Sequence, residues 1–296
     1  MLASTATSLF KQKTHIIFFI LYACTYSHNV CAEELSNPRI SIYNDSFTLI
    51  PNNTNPSQCI SYQLDNGQNI TSTSVNITEN IIAVGESGYN PKINILNYDP
   101  ILETISYTTS ISPTETEDFV SISSLQWFNN NTKLMACIRG AVFQIIIFLY
   151  ENNTLSTLAS TFFAQSAECI EITPSGSFIA LAHANQLTIY SLTESTIDVI
   201  NSFNLPSYVS CIAWAPDEHH IAVGVDDTLS IYYVTSQEST LITTTSHIFT
   251  DQSIYWNNDM DYIAIGSCNP TCQGDTILPN GCSIFSFDGT QLQHVI

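Results

Sequence analysis

Basic side chains are the scarcest chemistry in this chain: 6 Lys and Arg stand against 26 Asp and Glu among 296 residues, a net charge of −20. Binding to nucleic acid through its phosphates is excluded on that ground, because neutralising phosphates takes Lys and Arg. An anionic membrane surface is disfavoured for the same reason. Charge of either sign is thin, 11% of residues, against a usual ~25%. Ser, Thr, Asn and Ile fill the gap, a mixture that favours strands and turns. Disorder is excluded too, since 44% of the residues are hydrophobic, close to an ordinary globular domain.

A long apolar run is also lacking at the N-terminus. Ile16–Cys24 reads IIFFILYAC, too short to cross ~30 Å of hydrocarbon as a helix, so no membrane span is expected. Lys11 and Lys13 precede that run, and small or compact residues follow at Val30-Cys31-Ala32. A basic region, a short apolar region and a small-residue exit describe a secretory signal peptide over 1–32, cleaved between Ala32 and Glu33. A second reading takes Leu21-Tyr22-Ala23-Cys24 as a lipobox, with Cys24 lipidated and the protein anchored to a membrane. Secretion or a periplasmic location is the expectation. Removing 1–32 takes two of the six basic residues and no acidic one, leaving four against 26 and a charge of −22. Of nine cysteines, Cys59, Cys137, Cys169, Cys211, Cys268, Cys272 and Cys282 then remain. Export permits disulfides, and an odd count leaves at least one thiol outside them.

What the chain does have is internal repetition. A phrase of apolar residue, Ala, apolar residue, often closed by Gly, recurs at Ile82-Ala83-Val84-Gly85, Met135-Ala136-Cys137, Ile179-Ala180-Leu181, Ile221-Ala222-Val223-Gly224 and Ile263-Ala264-Ile265-Gly266. Its alanines are 53, 44, 42 and 42 residues apart. Alternating strands precede the last four phrases and close at Trp127, Ile172, Trp214 and Trp256, in steps of 45, 42 and 42. Further alternations follow each phrase, with room for a fourth strand at 104–108, 155–162, 199–203 and 241–245. Turn chemistry separates them, as in Thr173-Pro174-Ser175-Gly176, Ala215-Pro216-Asp217-Glu218 and Val225-Asp226-Asp227-Thr228. Four antiparallel strands repeated every ~40–45 residues mark an all-β β-propeller. Five repeats are readable, and residues 33–73, with strand-like pieces at 40–43, 47–50 and 59–62, supply a divergent blade or a closure segment. Six blades are therefore expected, with the repeats filling 74–296.

The stretch Val209–Val234, VSCIAWAPDEHHIAVGVDDTLSIYYV, resembles a repeat of the WD-repeat propeller family. The strand, Pro-Asp turn, Ala-bearing strand, Gly, Asp-bearing turn and closing strand follow in the family's order. Tyr232-Tyr233 stands where that family has Trp-Asp, and no Gly-His pair opens a unit, so its structural hydrogen-bond network does not carry over. A TolB-type periplasmic propeller is the close alternative. The resemblance implies a rigid disc whose loops bind protein partners.

The candidate sites are few. Cys268-Asn-Pro-Thr-Cys272 sits in an inserted loop over 267–281, with Cys282 at its end; three cysteines are one ligand short of a structural zinc site, and a disulfide between Cys268 and Cys282 is expected. Cys137, Cys169 and Cys211 read as small buried hydrophobes. His219-His220 sits in a tight turn, and adjacent residues there point apart, which disfavours metal. His183 ends a strand and reads as a surface or turn residue. Asp226-Asp227 offers too few oxygens for calcium and reads as turn chemistry. Six Asn-X-Ser/Thr sites, at Asn44, Asn52, Asn69, Asn76, Asn130 and Asn152, are glycan acceptors in a eukaryotic secretory protein. In a chain this rich in Asn, Ser and Thr they read rather as accidents of composition.

Neither a nucleophile elbow, a Gly-rich phosphate loop nor a His-Glu metal helix is present; Ser175 simply belongs to a turn. No catalytic residue, cofactor or metal is expected. The function expected is an exported, non-enzymatic scaffold for protein partners, basic ones by charge, with loops 86–92 and 267–281 as contact candidates. The alternatives are an exported propeller enzyme acting on carbohydrate, as hydrolase or lyase, and an incomplete propeller completed by a partner chain.

Overall fold

In the computed structural model, residues 39–295 are described except 44–45, 51–59, 64–67, 77–78, 100, 103, 114–117, 130–131, 142, 165, 168, 184, 227, 236–237, 247–251 and 268–280; before residue 68 only backbone is described. The signal segment, the cleavage point at Ala32 and Glu33, and Cys24 lie outside the described residues. Every regular element among the described residues is a β-strand. The chain divides into two compact units, one holding Glu34–His183 and Thr188–Ile200, the other Ala184–Leu187 and the chain from Asn201 on.

The first unit opens with a three-stranded antiparallel sheet, β1 (Arg39–Tyr43), β2 (Ser46–Ile50) and β3 (Ile60–Gln63). Two four-stranded blades follow. The first is β4 (Asn69–Asn76), β5 (Ile81–Tyr89), β6 (Ile93–Asp99) and β7 (Thr104–Ile111). The second is β8 (Phe119–Phe128), β9 (Lys133–Arg139), β10 (Phe143–Glu151) and β11 (Thr154–Phe163). A third sheet runs β12 (Cys169–Ile172), β13 (Phe178–His183), β14 (Gln186–Leu192), β15 (Ile197–Asn204), and the unit boundary falls within its last two strands. The second unit holds β16 (Val209–Trp214), β17 (His220–Val225), β18 (Thr228–Val234), β19 (Ser239–Ser246), then β20 (Gln252–Trp256), β21 (Tyr262–Ser267), β22 (Gly281–Phe287), β23 (Leu292–His294). The five readable repeats are thus five four-stranded blades, and the N-terminal pieces form a sheet of their own. The first blade begins at Asn69, upstream of the boundary at 74 that the alanine phrase suggested.

Three of the five phrase alanines, Ala180, Ala222 and Ala264, directly follow the partner of the first strand's closing Ile172, Trp214 or Trp256. In the second blade Met135 follows Leu134, the partner of Trp127, and Ala136 lies one residue further on. On the first strand of each blade the phrase alanines face Ser74, Leu125, Glu171, Ala213 and Tyr255. On the third strand, four of them face isoleucines: Ile95, Ile146, Ile231 and Ile284. The second strand has neighbours on both edges and side chains packed on both faces, so it reads as a continuous apolar run. All five alanines are at most 4% exposed. Ile95 packs in one cluster with the second blade and Ile231 in one with the fifth, whereas Ile146 packs back on the first; each is worth about 1.5–3 kcal/mol of burial.

Two tryptophans tie successive blades together. Trp127 Nε1 donates to the Ser74 carbonyl at 3.2 Å, and Trp256 Nε1 donates to the Ala213 carbonyl at 3.1 Å. Ser74 and Ala213 are the residues opposite a phrase alanine, so the two bonds are equivalent by register. Each indole also meets a ring at the end of its blade's third strand, Tyr150 at 5.6 Å and Phe287 at 5.5 Å, edge to face. A large apolar ring that still carries one donor suits a junction where a carbonyl lies within reach.

The loop expected over 86–92 is corrected by the structure. Glu86–Tyr89 continues β5, and Ser87, Gly88 and Tyr89 pair with Ser121, Val120 and Phe119 of β8. The first two blades therefore join into one eight-stranded sheet. Glu86 is buried, yet its carboxylate accepts from the Lys92 backbone N–H at 3.0 Å and from Asn94 Nδ2 at 2.6 Å, so a polar, Gly-containing segment is held as strand. Ser72 Oγ and Thr71 Oγ1 reinforce the junction, both donating to the Ile122 carbonyl.

Candidate functional site

The Pro-Asp turn between β16 and β17 is built around one carboxylate. Asp217 Oδ1 accepts from the backbone N–H groups of His219 and His220, both at 3.0 Å. Its Oδ2 lies 2.6 Å from His220 Nδ1. An ionised carboxylate only accepts, so Nδ1 carries the hydrogen. Burial pushes the Asp217 carboxyl up, but the bonds from His220 and His219 outweigh it and hold the group below its ordinary value. The His220 ring meets Tyr233 at 5.1 Å and Phe287 at 5.6 Å, both edge-on, and His219 meets Tyr233 at 5.7 Å. A carboxylate orienting an imidazole is half of a general-base unit. Here the ring lies between two aromatics and locks the turn onto the blade. Both histidines thus lean on one tyrosine, in place of pointing apart.

The other singled-out residues fall as follows. Cys137 is a buried free thiol in the middle of β9, and burial pushes its pKa up to about 11. Cys169 and Cys211 do hold equivalent positions, opposite Ala182 and Gly224; Cys211 is buried in the core, Cys169 half-buried. His183 is half-buried at the end of β13, 3.4 Å from Thr188 Oγ1, and burial lowers its pKa, which corrects its reading as a surface residue. Asp226 takes a φ of 46°, as a tight turn demands. Ser175 bonds Ser177 within its turn at 2.7 Å. Asn76 is fully buried and its Oδ1 accepts from the Glu79 N–H, so it is a turn residue and no glycan acceptor, whereas Asn69 and Asn152 are exposed. Cys268, Cys272 and the Cys282 side chain lie outside what is described; on the backbone, Cys282 faces Gly266. No group of three metal-ligating side chains occurs among the described residues.

Sequence reasoning passed over the aromatics at one end of the second blade. Ser121, Arg139, Phe143 and Phe163 stand opposite one another on consecutive strands β8, β9, β10 and β11. Cross-strand partners leave a sheet on the same side, so these four side chains form a row. Phe119, two residues before Ser121, leaves on that side as well. Its ring meets Tyr89 of β5 edge-on at 5.9 Å, while Phe143 and Phe163 stack at 5.8 Å. Tyr89 is 66% exposed and Phe119 58%; Arg139 is exposed and Phe143 and Phe163 half-buried. The signal was one aromatic at the end of each strand, invisible until the strands are set in register.

The outer strands of four blades share another feature. Tyr107 on β7, Phe162 on β11, Val199 on β15 and Leu241 on β19 are all more than half exposed. These strands are rich in Ser and Thr, and Asp198 is the single charged residue among them.

The sequence matches no family model and no curated protein. Solved structures share the architecture. A functionally unknown protein from Desulfotomaculum acetoxidans superposes with a TM-score of 0.70 at 12% identity, over 88% of this chain and 79% of its own. A Bacteroides fragilis protein to which 6-phosphogluconolactonase activity has been ascribed gives 0.61 at 11% identity, covering 86% and 79%. The β-propeller domain of Cps50 (Swd1) from Myceliophteria thermophila gives 0.54 at 10% identity, covering 91% and 88%. The chain has the β-propeller fold.

Proposed function

We propose that this chain is an exported, non-enzymatic propeller of WD-repeat-like kind that serves as a scaffold for protein partners. The observation that carries the reading is the set of exposed apolar residues on the outer strands. An outer strand is a sheet edge with unpaired N–H and C=O groups, and natural edges are usually guarded by Lys, Pro or inward charge. Tyr107, Phe162 and Leu241 sit on edges without any such guard. An extended partner segment adding to one of these edges gains main-chain hydrogen bonds and seats its alternate side chains beside the exposed ring or leucine. The surrounding acidic surface favours basic partners and makes association salt-sensitive. The basic and apolar N-terminal segment supports export.

The test is affinity capture from the native source with the full chain and with a Phe162→Lys, Leu241→Lys variant of matched unfolding midpoint. Partners that the intact chain retains and the variant loses support the scaffold. Equal capture by both, or turnover of a glycan panel without partners, sinks it. A carbohydrate-active enzyme is the second reading, favoured by the structural likeness to the protein described as a 6-phosphogluconolactonase.

A further inference from the structure

We infer that the row at the end of the second blade is a docking site for a sugar chain that carries carboxylate groups. This goes beyond the scaffold reading and uses a different surface. Four rings flank one guanidinium: Tyr89 and Phe119 on one side of Arg139, Phe143 and Phe163 on the other. From β5 to β11 the row crosses four strand spacings, roughly 19 Å, the length of a few pyranose rings end to end.

Arg139 is the informative member. In a chain with 26 acidic residues, an arginine has many possible intramolecular partners. Among the described residues, no carboxylate lies within ion-pair distance of Arg139, and its side chain is exposed. Its planar fork matches a carboxylate bidentately. The neighbouring rings present negative π faces, which take the polarised C–H face of a pyranose and hold a chain in register with the guanidinium. Lys92, also exposed, stands just before β6 near the same end of the sheet.

Other anions fit worse. A polynucleotide brings one phosphate per base and draws its affinity from many cations, where this row has one arginine. A peptide adding as a strand needs a free edge; β8, β9 and β10 are laddered on both sides here, so a strand would meet the row only at its β11 end and miss Arg139. A chain of apolar-faced rings with a carboxylate among them matches one guanidinium between two aromatic pairs.

Titration calorimetry of the full chain with tetragalacturonate, its fully methyl-esterified counterpart, oligothymidylate and tetraglutamate tests this. Tetragalacturonate should bind saturably, with the ester about tenfold weaker, the scale of one charge-assisted contact. Arg139→Gln should bring the acid down to the ester's affinity and leave the ester unchanged. Phe119→Ser should weaken both forms alike, by about fivefold, the scale of one lost ring contact. Lys133→Gln, at the opposite end of β9, should change neither. Unfolding midpoints matched to wild type show that each variant is folded. Absence of saturable tetragalacturonate binding, equal affinity for the ester, tighter binding of oligothymidylate or tetraglutamate, or an equal loss in Lys133→Gln would each overturn the assignment.

Discussion

Gly85→Ala is a direct probe of how closely the first two blades approach. In most strand interiors the change stabilises, by about 0.4–1 kcal/mol through the unfolded chain. Here a Cβ on Gly85 would stand 2.5 Å from Ser72 Oγ, 2.7 Å from Ile122 Cγ2 and 2.9 Å from Ile122 Cβ. Ser72 cannot simply turn away, because its hydroxyl donates to the Ile122 carbonyl at 2.6 Å in a buried site. Overpacking of this kind costs about 1–3 kcal/mol, and loss of the serine bond adds about 1 kcal/mol. The penalty exceeds the entropic gain, so net destabilisation by roughly 1–3 kcal/mol is expected. Urea unfolding reads this as a lower midpoint at unchanged slope. Ser72→Gly on the Gly85→Ala background should recover only part of the loss, since Ile122 still crowds the new methyl, and the two changes should couple favourably. A Gly85→Ala protein as stable as wild type, or more so, would refute the close junction.

Further outcomes follow from the same geometry. Asp217→Ala should cost about 1–2 kcal/mol, because two backbone donors lose their acceptor. The carboxyl is held low in the folded chain, so its contribution is present above its unfolded value near ~4 and is lost as pH falls through the depressed folded value. Unfolding midpoints of wild type and variant should therefore converge on acidification, and a gap that persists at pH ~2 argues against this account. Cys137, with its pKa pushed up to about 11, should resist a maleimide at pH ~8 in the folded protein and react on unfolding; rapid labelling of Cys137 in peptide maps of folded protein would contradict its burial. Trp256→Phe should lower the unfolding midpoint by the equivalent of about 1 kcal/mol, leaving the buried Ala213 carbonyl short of a donor, whereas an unchanged midpoint would show that the indole bond ties nothing.

The sequence was most legible where one face of the chain alternates and the period is kept. The phrase alanines named the second strand of every blade, and the fourth strands at 104–108, 155–162, 199–203 and 241–245 lie inside the observed β7, β11, β15 and β19. The strand β4, NITSTSVN, escaped notice. Its Ser72 and Asn76 are buried as polar residues, which hides alternation from a reading based on apolar spacing. Glu86-Ser87-Gly88-Tyr89 read as loop for the same reason, since its pairing with β4 and β8 and the buried Glu86 bonds make it strand. The aromatic row was illegible because Tyr89, Phe119, Phe143 and Phe163 are scattered along 75 residues of sequence and meet only through four ladders. The Asp217 turn was recognised as a turn, but the lean of both histidines on Tyr233 depends on the β17–β18 register, where His220 faces Tyr233.

The fused sheet bears on how such a molecule is inherited. Where blades are separate four-stranded units, a duplication or deletion of one unit leaves its neighbours' ladders complete. Between the first two blades that modularity is lost. Deleting β8–β11 alone would strip Ser87–Tyr89 of its ladder to β8 and leave the Thr71 and Ser72 hydroxyls without the Ile122 carbonyl they share. The pair can be gained or lost only as one piece of roughly twice the usual module length, while the blade of β16–β19 keeps all its ladders within itself.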